Sequence, residues 1–370
     1  MKSNVKALYI HIPFCNKICS YCDFCKLLYN EKFIDNYLVA LEREIRSIYK
    51  GEIVDTIYIG GGTPSSLNYK HLERLFEIIS IINKTSTCEF TIEGNFDSTS
   101  YEKIDLYKKH GVNRLSFGIE TTDTKLLKFL NRELDKEQVL DIINYANNIG
   151  LNNINVDLMY ALPGEDLDIL KKDLDFICSL DIKHVSTYSL IVENNTLLSI
   201  NGCSNISEDL DYDMYMFICK YLEKKGFSHY EISNFAKVGY ESRHNLVYWN
   251  NLEYYGFGLG ASSFISNRRI NNTRSINKYC LGEYISSFDD VNLHDMVEYE
   301  IMLGFRTSYG VSKKKFRNIY GKDIEKCYNY SSLIDNGFIL EDDEHIWINP
   351  NNFYISNEII VKFLEGELDG

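Results

Sequence analysis

The chain has 370 residues, 45% of them hydrophobic and 14% aromatic, so it can form one large domain with a smaller addition. Its formal net charge of −14 argues against a nucleic-acid partner, because phosphate binding requires a basic surface. No stretch approaches the ~18 consecutive apolar residues of a membrane span, and the start, MKSNVKALYIHIPFC, lacks the apolar core of a signal peptide. The 10 cysteines are therefore expected to stay reduced, and the protein is expected to be cytoplasmic.

Short β-rich segments alternate with amphipathic helical segments from residue 7 to residue 190, a pattern typical of parallel βαβ units. The predicted strands cover residues 7–12, 55–60, 88–94, 113–119, 153–159 and 184–190. The predicted helices cover residues 31–49, 71–82, 100–111, 136–150 and 168–180. Six such strands indicate a barrel or an open parallel sheet, and periodicity alone does not choose between them.

Three prolines mark the ends of predicted strands. Pro13, Pro64 and Pro163 each follow a strand, where a residue without an amide donor fits best. Their loops share the carboxyl-terminal edge of a parallel sheet. That edge is where such folds build their active sites.

The alternation ends near residue 235. A Gly-rich aromatic stretch covers residues 244–264, and helical segments follow at 295–306, 313–321 and 323–337, before a hairpin-like segment at 338–350. We expect a barrel over residues 1–235, a connecting region over 236–300 and a C-terminal helical, winged-helix-like domain over 301–370. Because the chain is acidic, the last domain is expected to pack against the barrel rather than bind DNA.

Four cysteines lie in the segment HIPFCNKICSYCDFCK, directly after the first predicted strand. The spacing is Cys15-x3-Cys19-x2-Cys22, with Cys25 two residues further on. A disulfide framework, a closed zinc site and an iron–sulfur cluster are the three candidate explanations. Structural zinc usually takes two short pairs separated by a longer loop, whereas tightly spaced cysteines are typical of iron–sulfur clusters. If only three of these thiols bind a cluster, one iron keeps an open coordination position.

The segment CNKICSYC resembles the CxxxCxxC signature of radical S-adenosylmethionine (SAM) proteins. The preceding YIHIPFC is similar to the subgroup that contains oxygen-independent coproporphyrinogen III oxidase and haem chaperones of the HemW type. The resemblance extends to most of the chain through YIGGGTPS (58–65), GVNRLSFGIE (111–120), NVDLMYALPG (155–164), HNLVYW (244–249) and LGFRTSYGVS (303–312). It implies an α/β fold, a partial (β/α)6 barrel that holds a [4Fe–4S] cluster and SAM at its carboxyl-terminal face.

The resemblance also implies roles for individual residues. Cys15, Cys19 and Cys22 match the cluster ligands, and SAM would occupy the remaining position on the cluster. The residues that match SAM contacts are Tyr9, Tyr21, Gly61, Gly62, Thr63, Glu93, Glu120, Arg132 and Asp157. Several positions depart from the family pattern: Phe96 and Asp97 replace a Pro-Gly pair, Glu120 replaces a glutamine, and Leu134 and Ser262 replace histidines. Because of these departures, the resemblance does not determine how tightly SAM binds or whether a proton-transfer step takes place.

Two features favour the haem chaperones over the oxidases. HNLVYW resembles a motif associated with haem binding, which makes His244, Tyr248 and Trp249 candidate haem contacts. The spacing alone also suits a histidine that is hydrogen-bonded inside an aromatic layer. In the oxidases a single residue separates the third and fourth cysteines, but two separate Cys22 from Cys25 here.

The resemblance therefore implies a chaperone that carries haem as cargo, together with a SAM-coordinated cluster, and passes it to an apo-haemoprotein. The alternative is a radical SAM enzyme that acts on a porphyrinogen, such as a coproporphyrinogen III dehydrogenase, or a related methyltransferase. Whether SAM is cleaved reductively stays open. A low-potential electron donor such as flavodoxin or ferredoxin and a second copy of the chain, forming a homodimer, are the other expected partners.

Overall fold

The structure is a computed structural model that describes residues 5–367. The strands are β1 (Ala7–Ile12), β2 (Phe14–Cys15), β3 (Leu27–Leu28), β4 (Val54–Gly61), β5 (Lys84–Gly94), β6 (Arg114–Glu120), β7 (Asn153–Tyr160), β8 (His184–Ser189), β9 (Ser228–Glu231), β10 (Asn234–Ala236), β11 (Tyr254–Phe257), β12 (Ser262–Ile265), β13 (Arg268–Asn272), β14 (Ile285–Asp290), β15 (Val311–Ser312), β16 (Ile339–Glu341) and β17 (His345–Ile348). The helices are α1 (Glu31–Ile48), α2 (Tyr69–Ile79), α3 (Tyr101–Lys109), α4 (Thr124–Phe129), α5 (Lys136–Asn148), α6 (Leu167–Ile177), α7 (Leu197–Ile200), α8 (Glu208–Lys224), α9 (Arg243–Trp249), α10 (Ile276–Leu281), α11 (Leu293–Gly304), α12 (Lys313–Tyr320), α13 (Ile324–Cys327), α14 (Ser331–Asp335) and α15 (Ser356–Leu364).

One sheet of twelve strands organises the molecule, in the order β14-β13-β12-β11-β1-β4-β5-β6-β7-β8-β10-β9. Its middle contains the six strands predicted from the sequence, β1 and β4 to β8, and neighbouring strands there are parallel. At one side β8 continues into the antiparallel strands β10 and β9, and at the other β1 pairs in parallel with β11. The curved sheet therefore does not close on itself, which confirms the partial barrel.

The helices that connect these strands are amphipathic and begin at polar caps. Asn30 caps α1 by accepting a hydrogen bond from the Phe33 amide, as expected of an asparagine at that position. The apolar face of this helix is buried and comprises Ile34, Tyr37, Leu38, Leu41 and Ile45. Burial of such faces in one continuous apolar cluster fixes the strands, and so fixes the loops at their carboxyl ends.

The C-terminal part combines short helices with a small sheet. α11 and α12 follow the predicted segments, and β16 and β17 form the predicted hairpin, to which β15 adds a third strand. The helix predicted over residues 323–337 is interrupted between α13 and α14, because Tyr328 is extended and pairs with Glu367. None of the helices described between residues 5 and 367 has the length and apolar character that a transmembrane segment requires.

Glu165, in the loop that follows β7, gives a prediction about stability and pH. Its carboxylate accepts the Leu162 amide at 2.9 Å, and burial raises its pKa to about 8 from an ordinary value near 4.5. Because the folded pKa lies above the unfolded one, the carboxyl stabilises the fold below about pH 4.5, and this contribution is lost as the pH rises through about 8. Glu165→Gln removes this titration. The unfolding free energy of the wild type, relative to the variant, is therefore expected to fall between about pH 5 and pH 8 in denaturant titrations. A constant difference would contradict the prediction.

Candidate cofactor site

A cavity of about 470 Å³ opens at the carboxyl-terminal edge of the barrel strands. Cys15, Cys19 and Cys22 line its rim, on the loop that runs from β1 through β2. Eight of the nine residues predicted to contact SAM also line it: Tyr21, Gly61, Gly62, Thr63, Glu93, Glu120, Arg132 and Asp157. Residues more than 140 positions apart in the sequence therefore share one concave surface.

The glycine-rich loop after β4 is fastened to the cysteine loop. The Gly62 amide donates to the Ile12 carbonyl at 2.8 Å, and the Thr63 hydroxyl donates to the Cys15 sulfur at 3.4 Å. A Cβ atom at Gly62 would lie 3.0 Å from that sulfur and 2.8 Å from the Pro13 backbone, so only glycine allows this approach. Burial raises the pKa of the Cys15 thiol to about 11.

Positive side chains lie beside the other two thiols. Arg132 donates to the Cys19 sulfur at 3.7 Å, and the Lys26 ammonium contacts the Cys22 backbone carbonyl. Burial raises the pKa of the Cys22 thiol, while the Lys26 charge opposes that rise. The Lys26 charge therefore favours the thiolate form of Cys22, which is the form that binds metals.

The separation of the three sulfurs bears on which metal centre they suit. Within residues 5–367 only His294, Asp295 and Glu298 bring three ligand atoms to within 4.8 Å of one another, so at least one pair of the three cysteine sulfurs is more than 4.8 Å apart. A tetrahedral zinc ion would require sulfurs about 3.8 Å apart. A cluster distributes its thiolates over several irons, and this donor set fits it.

Glu93, the last side chain of β5, faces the same cavity. Its two carboxylate oxygens accept the Tyr58 hydroxyl at 2.7 Å and the Gly61 amide at 2.9 Å. Burial raises the pKa of Glu93 to about 7, and burial also raises the pKa of Asp157, which accepts from the Asn155 amide at 2.8 Å. These carboxyls are oriented acceptors suited to the amino and hydroxyl groups of a polar ligand.

Glu120 and Arg132 form a buried ion pair at the cavity wall, 2.9 Å apart. Tyr21 donates to the other Glu120 oxygen at 3.1 Å, and Arg132 also donates to the Gly118 carbonyl at 3.0 Å. Burial raises the pKa of Glu120 to about 7, and the Arg132 charge opposes that rise. The charge of Glu120, at a position where the resemblance predicts a glutamine, is therefore paired inside the protein rather than presented to the cavity alone.

Tyr9 is the predicted SAM residue that lies apart from this cavity. Its hydroxyl is 3.0 Å from Nδ1 of His11, and its ring is 6.1 Å from that of Tyr58. It lines a second cavity of about 390 Å³, which shares Asp23 and Phe24 of the cysteine loop with the first cavity. Cys25 lines this second cavity too, so the structure separates it from the other three cysteines of the loop.

The HNLVYW segment forms helix α9, which packs against the barrel strands. His244 is buried, and its ring nitrogens lie 2.8 Å from the Thr56 hydroxyl and 2.8 Å from the Tyr248 hydroxyl. Burial lowers its pKa to about 3, so the ring is neutral. Tyr248 lines the second cavity, whereas Trp249 ends the helix and is half-buried. In this conformation His244 has both nitrogens engaged and holds the helix in place.

Sequence reasoning missed the polar interior of the barrel beneath the predicted SAM residues. The cavity of about 470 Å³ that Cys15, Cys19 and Cys22 line is the main cavity of the protein's site. Four further residues line it: Arg114, Ser116, Asn155 and Ser186. The Arg114 side chain is buried, and among the described residues its Nε atom has no hydrogen-bond partner. The alternation of Arg114, Ser116 and Gly118 along one strand was the signal that could have identified this inward-facing row.

Three cysteines on the loop after the first strand of a partial barrel, beside a glycine-rich loop, define a radical SAM protein. The model of the radical SAM superfamily matches residues 9–177, and that of the HemN C-terminal domain matches residues 291–354. The heme chaperone HemW of Bacillus subtilis (strain 168) is 38% identical over 98% of this chain and 100% of its own length. HemW of Lactococcus lactis subsp. lactis (strain IL1403) is 36% identical over the full length of both proteins.

The chain thus belongs to the HemW family of radical SAM proteins. A solved structure, coproporphyrinogen III oxidase (HemN) from Escherichia coli, aligns with a TM-score of 0.83 over 96% of this chain and 89% of its own. At 20% identity that likeness shows the shared fold alone. Membership of the superfamily implies SAM and a [4Fe–4S] cluster as cofactors.

Proposed function

We propose that this chain is a haem chaperone, which binds haem and a SAM-coordinated [4Fe–4S] cluster and transfers the haem to an apo-haemoprotein. The observation that carries this proposal is the full-length match to proteins named heme chaperone HemW, which includes the helix with the HNLVYW motif. The C-terminal domain and the connecting region, from residue 236 onward, lie within that match.

We assign the main cavity to the cofactors. Cys15, Cys19 and Cys22 would hold the cluster, in the cavity that the carboxylates of Glu93 on β5 and Asp157 on β7 also line. When both cofactors are bound, the cluster would supply reductive chemistry on SAM. The side chains of the chain orient the ligand: Glu93 and Asp157 accept hydrogen bonds from its polar groups, and the Arg132–Glu120 pair forms the charged wall beside it.

We assign haem to the region of helix α9. Tyr248 offers an aromatic surface toward the second cavity, and His244 fixes the orientation of Tyr248 through their hydrogen bond. A direct bond between His244 and haem iron would require the imidazole to release Thr56 or Tyr248.

The test of the function compares two substrates. The anaerobically reconstituted protein is incubated with SAM, a reductant and either haem or coproporphyrinogen III. Stoichiometric capture of haem without porphyrin turnover is expected, followed by transfer to an apo-haemoprotein. Formation of protoporphyrinogen would instead favour an oxidase, which decarboxylates two propionates to vinyl groups.

His244→Ala is expected to weaken haem binding about tenfold, because it removes the group that positions Tyr248 and leaves that hydroxyl unpaired. Haem titrations followed by absorbance measure the effect. Thr56→Val is the matched control, since it removes the partner of the other ring nitrogen and keeps the imidazole. We expect Thr56→Val to bind haem nearly as well as the wild type. Unchanged haem affinity and spectrum in His244→Ala would remove His244 from the haem site.

A further inference from the structure

The second cavity lies between the cysteine loop and the strands that follow helix α9. Its walls come from β1, the loop after Cys22, helix α9, the β11–β12 region and the segment after β13, and they comprise Tyr9, His11, Asp23, Phe24, Cys25, Tyr248, Tyr254, Gly260, Ala261, Ser262 and Arg274. Its volume of about 390 Å³ is within the range of small-molecule sites. Asp23 and Phe24 line both this cavity and the one that we assign to the cluster and SAM, whereas Cys25 lines only this one.

Aromatic rings make up much of this surface. Tyr248 and Tyr254 meet edge to face, with ring centroids 4.6 Å apart, and Tyr9 lines the same wall. At the mouth, Phe24 is 62% exposed, which is high for a large apolar side chain. Such a surface offers flat apolar contacts to a planar ligand and an exposed ring that a ligand could cover.

Two functional groups accompany these rings. The backbone carbonyl of Cys25 is 2.7 Å from Nε2 of His11, which holds the cysteine in place, and the thiol lies beside Gly260. A Cβ atom at Gly260 would come 2.7 Å from the Cys25 Cβ atom and 3.1 Å from its sulfur, so only glycine lets the backbone pack this closely against that side chain. The Arg274 guanidinium is exposed at the cavity, where it donates to the Asp23 carbonyl at 2.8 Å.

Arg274 also affects the thiol directly. Burial raises the pKa of Cys25, and the nearby Arg274 charge opposes that rise by favouring the thiolate. A guanidinium is in addition the side chain best suited to pair with a carboxylate in two hydrogen bonds. The cavity thus combines a soft metal ligand, a carboxylate-binding cation and aromatic walls.

We propose that the second cavity is the haem-binding site of this chain, with Cys25 as the axial ligand to iron and Arg274 as the partner of a haem propionate. This inference rests on the proposed haem-chaperone function and specifies its binding site. Cys25 loses its thiol proton to solvent as the sulfur–iron bond forms, and no oxidation state changes. Thiolate is an established axial ligand of haem iron. His244, which is hydrogen-bonded to the Tyr248 hydroxyl and does not line the cavity, acts here as a positioning residue.

The experiment uses the full chain with its cluster reconstituted anaerobically. Haem is titrated into the wild type, Cys25→Ser, Arg274→Gln and the control Cys203→Ser, which changes a partly exposed cysteine outside this cavity. Absorbance and magnetic circular dichroism report the axial ligand, and iron and sulfide analyses report the cluster.

The wild type is expected to bind haem with a thiolate signature. Cys25→Ser should lose that signature and bind at least about tenfold more weakly, with cluster iron and sulfide unchanged. Arg274→Gln should bind about tenfold more weakly and keep the signature. Metal-free protoporphyrin, which keeps the propionates but lacks iron, should depend on Arg274 and be insensitive to Cys25→Ser. Cys203→Ser should match the wild type in every measurement.

The outcomes separate this inference from the function on which it rests. A wild type that takes up no haem overturns both. A wild type that binds haem, while Cys25→Ser keeps the same affinity and signature, overturns the inference alone. Loss of cluster iron in Cys25→Ser would make Cys25 a cluster ligand and would equally overturn it.

Discussion

Single replacement of Cys15, Cys19 or Cys22 by alanine is expected to abolish cluster assembly. Iron and acid-labile sulfide should fall from about four of each per chain to near zero, together with the visible absorbance of the reconstituted protein. The physical reason is that these three thiols line one cavity, so the loss of any one removes a thiolate that no other described cysteine can replace there.

Cys25→Ala is the matched control for these variants, because Cys25 belongs to the same loop but lines the other cavity. It is expected to retain iron and sulfide at the wild-type level. Retention of a full cluster in any of the three single variants, or its loss in Cys25→Ala, would contradict the assignment of ligands.

Arg132→Met is expected to have the largest effect outside the cysteines. It leaves the Glu120 carboxyl buried without its counter-charge, which typically destabilises a fold by about 3–5 kcal/mol. The loss should be greatest above pH 7, where the unpaired Glu120 must take up a proton in order to remain buried. SAM affinity should fall as well, since the guanidinium lines the cavity and donates to the Cys19 sulfur.

Adding Glu120→Gln to Arg132→Met should restore much of the lost stability, because the double variant has no uncompensated charge. Denaturant titrations of the apoprotein at about pH 8 provide the comparison. If the double variant were as unstable as Arg132→Met, the ion pair would not be the cause of the loss.

The barrel strands could be predicted from the sequence because the burial of a strand is visible in its local amino-acid pattern. Residues 114–120, RLSFGIE, are all buried, and the run was predicted within one residue of its observed limits. The positions of the cysteine loop and the glycine-rich loop could also be predicted, because both loops follow strands whose carboxyl ends meet at the same edge of the sheet.

Contacts between segments that are distant in the sequence could not be predicted, because no local amino-acid pattern indicates them. Strand β11 lies beside β1, yet Tyr254–Phe257 is short and contains a glycine, with no alternation to indicate a strand. Glu44 is a second example: as a charged residue in a helix it suggests exposure, but it is buried and accepts bonds from the Gly258 amide at 2.8 Å, from Asn272 and from Tyr279. Its burial depends on partners more than 200 positions away.

The same limitation applies to the candidate sites. Cys25 is three positions from Cys22 in the sequence, but the two side chains line different cavities. Which thiols act together depends on the path of the loop, which spacing does not determine. His244 illustrates the converse, since its motif indicates a ligand, whereas its buried hydrogen bonds to Thr56 and Tyr248 became visible only in three dimensions.

Electron paramagnetic resonance of the reduced, reconstituted protein, recorded with and without SAM, examines the iron–sulfur assignment most directly. A cluster held by three cysteines has one iron free to accept the ligand, so SAM should change the g values of the signal. A cluster spectrum that SAM leaves unaltered, or a purified metal centre that contains zinc in place of iron, would contradict the account.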